Sequence, residues 1–131
     1  MLFKGMQLRP VDNTGAKVVK CIRVISKSKK YGLVGDLLGV VVKKFRMQKK
    51  LVKKVVYYGL IISMRSRLLR PDGTYIKSNK NRIVLLSSKI QFLGTRIYGP
   101  IYKEVRNIYV GKGRHRRWRY DRVVSCARKV I

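Results

Sequence analysis

Arg70-Pro71-Asp72-Gly73 constrains this chain more than any other four residues. Proline presets φ for the second position of a type I turn. Aspartate suits the third position, and glycine accepts the positive φ that follows. An apolar and aromatic run of strand formers, Val55 to Met64, comes before the turn, and Ile83 to Leu86 comes after it. The pattern predicts a long β-ribbon whose outer half is basic. With the bulge that usually closes such a turn, Arg70 faces Thr74, Leu69 faces Tyr75 and Arg67 faces Lys77. Like charges directly opposite one another are unfavourable. Keeping such a pair makes sense when an anion sits beside it. The competing reading is a solvated tip that only aids solubility, since exposed charge is common.

Charge then decides the class of partner. The chain has 131 residues and a formal net charge of +28, from 33 Lys and Arg against 5 acids, with 46% apolar residues. The length and apolar content suit one domain with a modest core. A compact domain this basic repels itself and needs a polyanion to neutralise it. Its pI of about 11.0 exceeds the ~9 that marks a nucleic-acid footprint. No apolar run approaches the ~18 residues of a membrane-spanning helix. The basic residues also spread along the whole chain rather than along one helical face, which argues against a membrane surface as the partner.

Asp12-Asn13-Thr14-Gly15 is a turn cluster between two strand-like segments. Val18 to Ile25 reads as a strand, with a bulge because Lys20 and Arg23 fall on opposite faces. Ser26 to Gly32 is a basic loop, and Val34-Gly35-Asp36 is another turn. Leu37 to Val42 is a nearly continuous apolar strand, buried on both sides or wrapped in a barrel. From Lys43 to Lys54 the chain carries Lys43, Lys44, Arg46, Lys49, Lys50, Lys53 and Lys54 with no acid, a block expected to dock on a polyanion. Arg82 to Ser87 is a further strand. Gly94 to Pro100 is a short extended piece, after which Pro100 opens a helix at its first turn. Asp121 reads as the N-cap of a second helix, with Val123, Ala127 and Val130 on one face.

Between these helices lies a second basic block. Lys112, Arg114, His115, Arg116, Arg117, Trp118 and Arg119 follow one another closely. Arg114, Arg116, Arg117 and Arg119 suit phosphate, and Trp118 offers a stacking face for an unpaired base. The alternative is that Trp118 packs on the protein and the arginines are solvated.

The residues do not suggest catalysis. The five acids stand at turns and helix starts, and no carboxylate pair, Ser/His/Asp set or phosphate-cradling glycine loop occurs. One histidine and two distant cysteines, Cys21 and Cys126, do not make a metal site of normal spacing. The cysteines read as reduced, packed thiols. The expectation is a chain without metal, cofactor or enzymatic activity.

Six motifs carry a resemblance. Asp12-Asn13-Thr14-Gly15-Ala16, Cys21-Ile22-Arg23-Val24, Val34-Gly35-Asp36, Arg70-Pro71-Asp72-Gly73, Val84-Leu85-Leu86 and Gly94-Thr95-Arg96-Ile97-Tyr98-Gly99-Pro100 stand in this order. Together they resemble the universal large-subunit ribosomal protein family L-fourteen over nearly the whole chain. The resemblance implies a mainly β fold: a small closed five-stranded β-barrel with a projecting ribbon and short C-terminal helices. It implies a single domain over 1–131, with the barrel at about 1–99 and a helical part at about 100–131. It further implies contact with large-subunit ribosomal RNA and neighbouring ribosomal proteins, and a bridge to small-subunit RNA. Arg67, Arg70 and Lys77, with Arg65 beside them, match the family's RNA-facing ribbon. Thr95, Arg96 and Arg122 resemble the surface on which the family's ribosome-silencing factor docks. Lys80 and Arg82 replace an acid and an alanine typical of the family, the linker 106–123 is longer, and Arg128 stands where proline is common.

Ala16 and Ala127 are the only alanines, while Lys, Ile and Tyr abound. This suggests an AT-rich genome. The first family motif begins almost at once, so no presequence is expected, and a chain made inside a mitochondrion needs none. The expectation is a mitochondrial ribosome, with plastid and bacterial ribosomes as alternatives. A free-standing basic RNA-binding barrel, a regulator or RNA chaperone, would share the charge and the fold.

Overall fold

The computed structural model describes residues 1–25, 30–46, 55–107 and 121–131. Five strands close a barrel: β1 (Gln7–Pro10), β2 (Ala16–Ile25), β3 (Leu37–Phe45), β4 (Val56–Ser63) and β7 (Arg82–Leu86). The β1–β2, β2–β3, β3–β4 and β4–β7 pairs are antiparallel, and β7 returns to β1 in parallel. Side-chain parity explains the closure. Leu8, Val19, Cys21, Val40 and Leu85 are buried, whereas Gln7, Lys20 and Lys43 are exposed. Each fully buried aliphatic side chain contributes ~1.5–3 kcal/mol. The expected bulge in β2 is present as a register shift between Cys21 and Arg23, which resets the parity so that Val24 again faces inward.

The ribbon departs from its expected length. β4 and β7 belong to the barrel wall, and a register shift between Ile61 and Ser63 interrupts the ladder. Ser63 is buried there, and its hydroxyl has no partner among the described residues. Only β5 (Leu68–Leu69) and β6 (Tyr75–Ile76) project as a paired tip. The turn between them has the expected chemistry. Gly73 sits at φ 86°, its N–H donates to the Arg70 carbonyl at 3.0 Å, and the Arg70 N–H donates to the Thr74 carbonyl at 2.8 Å. Asp72 Oδ1 accepts from the Thr74 N–H at 3.0 Å and the Thr74 hydroxyl at 2.6 Å. These bonds hold the Asp72 carboxyl below the usual carboxylate range. Leu69 faces Tyr75 as expected, but the ladder stops at Leu68 and Ile76, one pair short of Arg67 and Lys77. The Arg67 guanidinium lies over the Tyr75 ring instead, 4.9 Å from its centroid. Arg67 and Lys77 are therefore not a ladder pair, and the ring face attracts the Arg67 charge.

The C-terminal part holds the expected short helices, but their bounds differ from expectation. Pro100 does not open a helix: it lies within β8 (Ile97–Ile101), and the helical turn that follows is a 3₁₀ helix, Lys103–Asn107. Helix α1 covers only Asp121–Cys126, and Ala127–Val130 forms β9, parallel to β8. So short a helix cannot sustain itself. The unpaired edge of β8 offers the following residues a ladder, and Val130 suits a strand. Proline is tolerated because the ladder shifts register between Ile97 and Pro100, at Gly99 with φ 101°. Val123, expected to pack inward, does so and is fully buried.

Candidate nucleic-acid interface

Asp12 and Asn13 organise the turn that opens β2, and both act through their side chains. Asp12 Oδ2 accepts from the Leu85 N–H at 2.7 Å, and Oδ1 accepts from the Thr14 N–H at 3.1 Å and from the Thr14 hydroxyl. The carboxylate thus ties the turn to β7. Asn13 Oδ1 accepts from the N–H groups of Thr95 and Arg96 at 2.8 and 3.2 Å, and its Nδ2 donates to Thr95 Oγ1 at 2.7 Å. A Cβ on Gly94 would stand 2.7 Å from Asn13 Oδ1. This clasp fixes the Thr95–Arg96 loop, and both residues are exposed. Ile97 pairs with Ala127, and α1 packs on β8. The exposed Arg122 therefore belongs to an element braced on the strand that Thr95 and Arg96 lead into. Sequence reasoning saw the turn but not the clasp, because partners some eighty residues apart leave no local signal.

The Asp12 clasp yields a stability prediction. Asp12→Ala should lower the unfolding free energy by about 2–4 kcal/mol, because two buried amides lose their acceptor. Urea denaturation followed by circular dichroism measures it. Burial pushes the Asp12 carboxyl up, against the hydrogen bonds that lower it. A raised folded-state pKa adds stability below the unfolded value, and this stability is lost as pH rises through the folded value. The Asp12→Ala penalty should therefore be no smaller at pH 4 than at pH 7.

The cations fall into two kinds. Arg70 is committed to the protein. Its Nε and Nη2 donate to Glu104 at 2.7 and 3.3 Å, and Nη2 donates to the Ile131 carbonyl at 2.7 Å. It joins the ribbon to the 3₁₀ helix and the end of β9. Its alignment with the family's RNA-facing ribbon did not reveal this bracing role, since Glu104 is far away in sequence. Lys43, Lys44, Arg46, Arg65, Arg67 and Lys77 are exposed. None of these six makes an ion pair among the described residues. Arg46 is held at the end of β3 by its N–H to the Gly15 carbonyl at 2.9 Å. Arg65 is positioned by its N–H to Asn81 Oδ1 at 2.8 Å. Met64 anchors the ribbon foot by accepting from the Ser78 N–H at 2.9 Å. Lys49, Lys50, Lys53, Lys54, Arg114, Arg116, Arg117, Trp118 and Arg119 lie outside the described residues.

Among the acids whose side chains are described, Asp12, Asp36 and Asp72 accept from backbone N–H groups, and Glu104 pairs with Arg70. Asp36 Oδ2 accepts from the Leu33 N–H at 2.9 Å, and burial pushes its carboxyl up. Burial likewise pushes the Cys21 thiol up. Cys21 and Cys126 are both free, the first buried and the second half-buried. A buried thiol with a raised pKa is a poor nucleophile.

A closed barrel with a clasped turn and a basic two-stranded ribbon tip defines a small, strongly basic barrel protein. The chain belongs to the ribosomal protein L14p/L23e family, whose model matches residues 1–131. It is similar to the large ribosomal subunit protein uL14 of Carsonella ruddii (strain PV), at 38% identity over 108 residues, covering 82% of this chain and 88% of that protein.

Proposed function

We infer that the chain is a structural constituent of the large ribosomal subunit, held there by its ribosomal RNA and neighbouring ribosomal proteins. The family match along the whole chain carries this reading. Exposed cations on the ribbon and at the end of β3, without an ion pair among the described residues, supply the RNA-facing chemistry, because lysine and arginine contact phosphates. For the protein neighbours, support comes from the N-terminal edge. There Leu2 bridges to Gly32, and Met1, Phe3 and Leu33 are exposed around it. The free-standing regulator is the weaker reading, since nothing in that role requires the clasped Thr95–Arg96 loop.

The finer assignments belong to the same proposal. Arg65, Arg67 and Lys77 meet large-subunit RNA, as do Lys43, Lys44 and Arg46. Thr95, Arg96 and Arg122 form a surface for a protein partner of the silencing-factor kind, supported by their exposure and by the Asn13 clasp. A bridge to small-subunit RNA follows the family pattern. The protein acts without catalysis, and the alanine-poor, lysine-rich composition supports a mitochondrial ribosome. The test is sedimentation of organelle and whole-cell lysates through a high-salt gradient. The protein should travel with the large subunit of the organellar ribosome and stay there after the wash. Recovery at the top of the gradient would contradict a structural role, and recovery only with cytoplasmic ribosomes would contradict the compartment.

A further inference from the structure

Closure of the barrel sets two arginines side by side that lie far apart in sequence. In the parallel β1–β7 pair, Arg9 stands opposite Arg82 and Pro10 opposite Ile83. Leu8 and Ile83 fill the interior. Side chains alternate along a strand and ladder partners share a face, so Arg9 and Arg82 stand on the outer wall. Lys20 is exposed on the same wall, opposite Gln7 and diagonal to Arg9. Arg82 is half-buried, and its Nη1 lies 3.0 Å from where a Cβ on Gly99 would stand. The guanidinium therefore rests against the β8 backbone at a place that only glycine leaves open.

Nothing on the described protein neutralises this group. Asp12 serves Leu85 and Thr14, Asp36 serves Leu33, Asp72 serves Thr74, and Glu104 serves Arg70. The side chains of Arg9 and Arg82 make no hydrogen bond or ion pair among the described residues; only their backbones pair, in the barrel ladder. Adjacent like charges on a sheet repel, and an unpaired cation held partly out of water costs more than one in solvent. Both costs vanish when an anion sits across the pair. Guanidinium forks suit phosphate oxygens in particular.

We propose that Arg9 and Arg82, flanked by Lys20, form a phosphate clamp on the outer wall that takes the phosphodiester backbone of RNA. The clamp extends the basic surface of the ribbon, whose foot is at Arg82, onto the barrel. The proposal rests on the RNA-binding reading above.

The test uses the full chain, a mixed-sequence A-form RNA duplex as probe, and affinities measured over a range of salt. Arg9→Gln with Arg82→Gln should weaken binding about tenfold or more at low salt. It should also flatten the slope of log affinity on log salt by about 1.5–2, the value for two lost phosphate contacts. A control removing equal charge elsewhere, Lys4→Gln with Lys89→Gln on two exposed side chains, should change the slope much less. Thermal unfolding of the free protein should be unchanged or raised by the arginine variant, because a repulsion is gone. Equal slopes for the two double variants would overturn the clamp. Failure of the unaltered protein to bind the duplex would instead overturn the RNA-binding reading. Should the double variant not fold, Arg9→Gln alone, on an exposed side chain, carries the same comparison.

Discussion

Arg67→Glu combined with Lys77→Glu is expected to keep the protein out of assembled large subunits while leaving the barrel folded. Both side chains are exposed, and neither makes an ion pair among the described residues. The barrel core draws on Leu8, Val19, Leu38, Leu60 and Leu85, none of them on the ribbon tip. In the free protein the substitutions lose one guanidinium–Tyr75 contact, about 0.5–1 kcal/mol at an exposed site. On RNA the loss is far larger. Two unit charges 4 Å apart interact by about 1 kcal/mol in water and about 4 kcal/mol at the effective dielectric near a protein surface. Each reversal exchanges that attraction for repulsion, so the pair should cost several kcal/mol, or a hundredfold and more in affinity. Expressed as a tagged copy beside the native protein, the variant should sediment free of large subunits. Its thermal unfolding should stay within a few degrees of the parent. Normal incorporation at physiological salt would mean that the ribbon tip is solvated.

The ribbon also shows where local sequence is a sufficient guide. Pro71 and Gly73 dictate the turn, and the turn dictates that Leu69 meets Tyr75, so the register follows from four residues. The bulge in β2 was equally legible, because Lys20 and Arg23 cannot share a face without one. Such features depend on neighbours a few positions away. The C-terminus obeys a different rule. Val123, Ala127 and Val130 have helical spacing, yet Ala127–Val130 pairs with β8, because an open strand edge outcompetes a helix too short to hold itself. Helical spacing over so few residues does not exclude a strand. Arg70 shows the same limit at the site. The family resemblance implied an RNA-facing role for it, and only the fold reveals that Glu104 and the Ile131 carbonyl share its guanidinium. Arg9 and Arg82 show the converse. Arg82 stands out in sequence only as a replacement for the family's alanine and Arg9 not at all, and they become a pair only when β7 closes on β1.

Raising salt from 50 to 200 mM is expected to weaken binding of the isolated protein to RNA by about 10³–10⁵-fold, the loss for some six to ten phosphate contacts. The net charge of +28 supplies the cations. Those on the ribbon and the end of β3 are exposed and unpaired among the described residues, unlike Arg70. Each phosphate they neutralise releases condensed counterions and adds roughly −0.7 to −0.9 to the slope of log affinity on log salt. Sequence preference should be slight. Contacts from Lys and Arg to phosphate carry no base information. On the paired strands of the ribbon tip the exposed ring is Tyr75, one face of which Arg67 already covers. Filter binding or fluorescence anisotropy over a salt series, with RNAs of equal length and different sequence, measures both quantities. A slope shallower than about −3 on that scale would mean that few of these charges reach phosphate. A strong preference for one sequence would mean that base edges, rather than the backbone, carry the recognition.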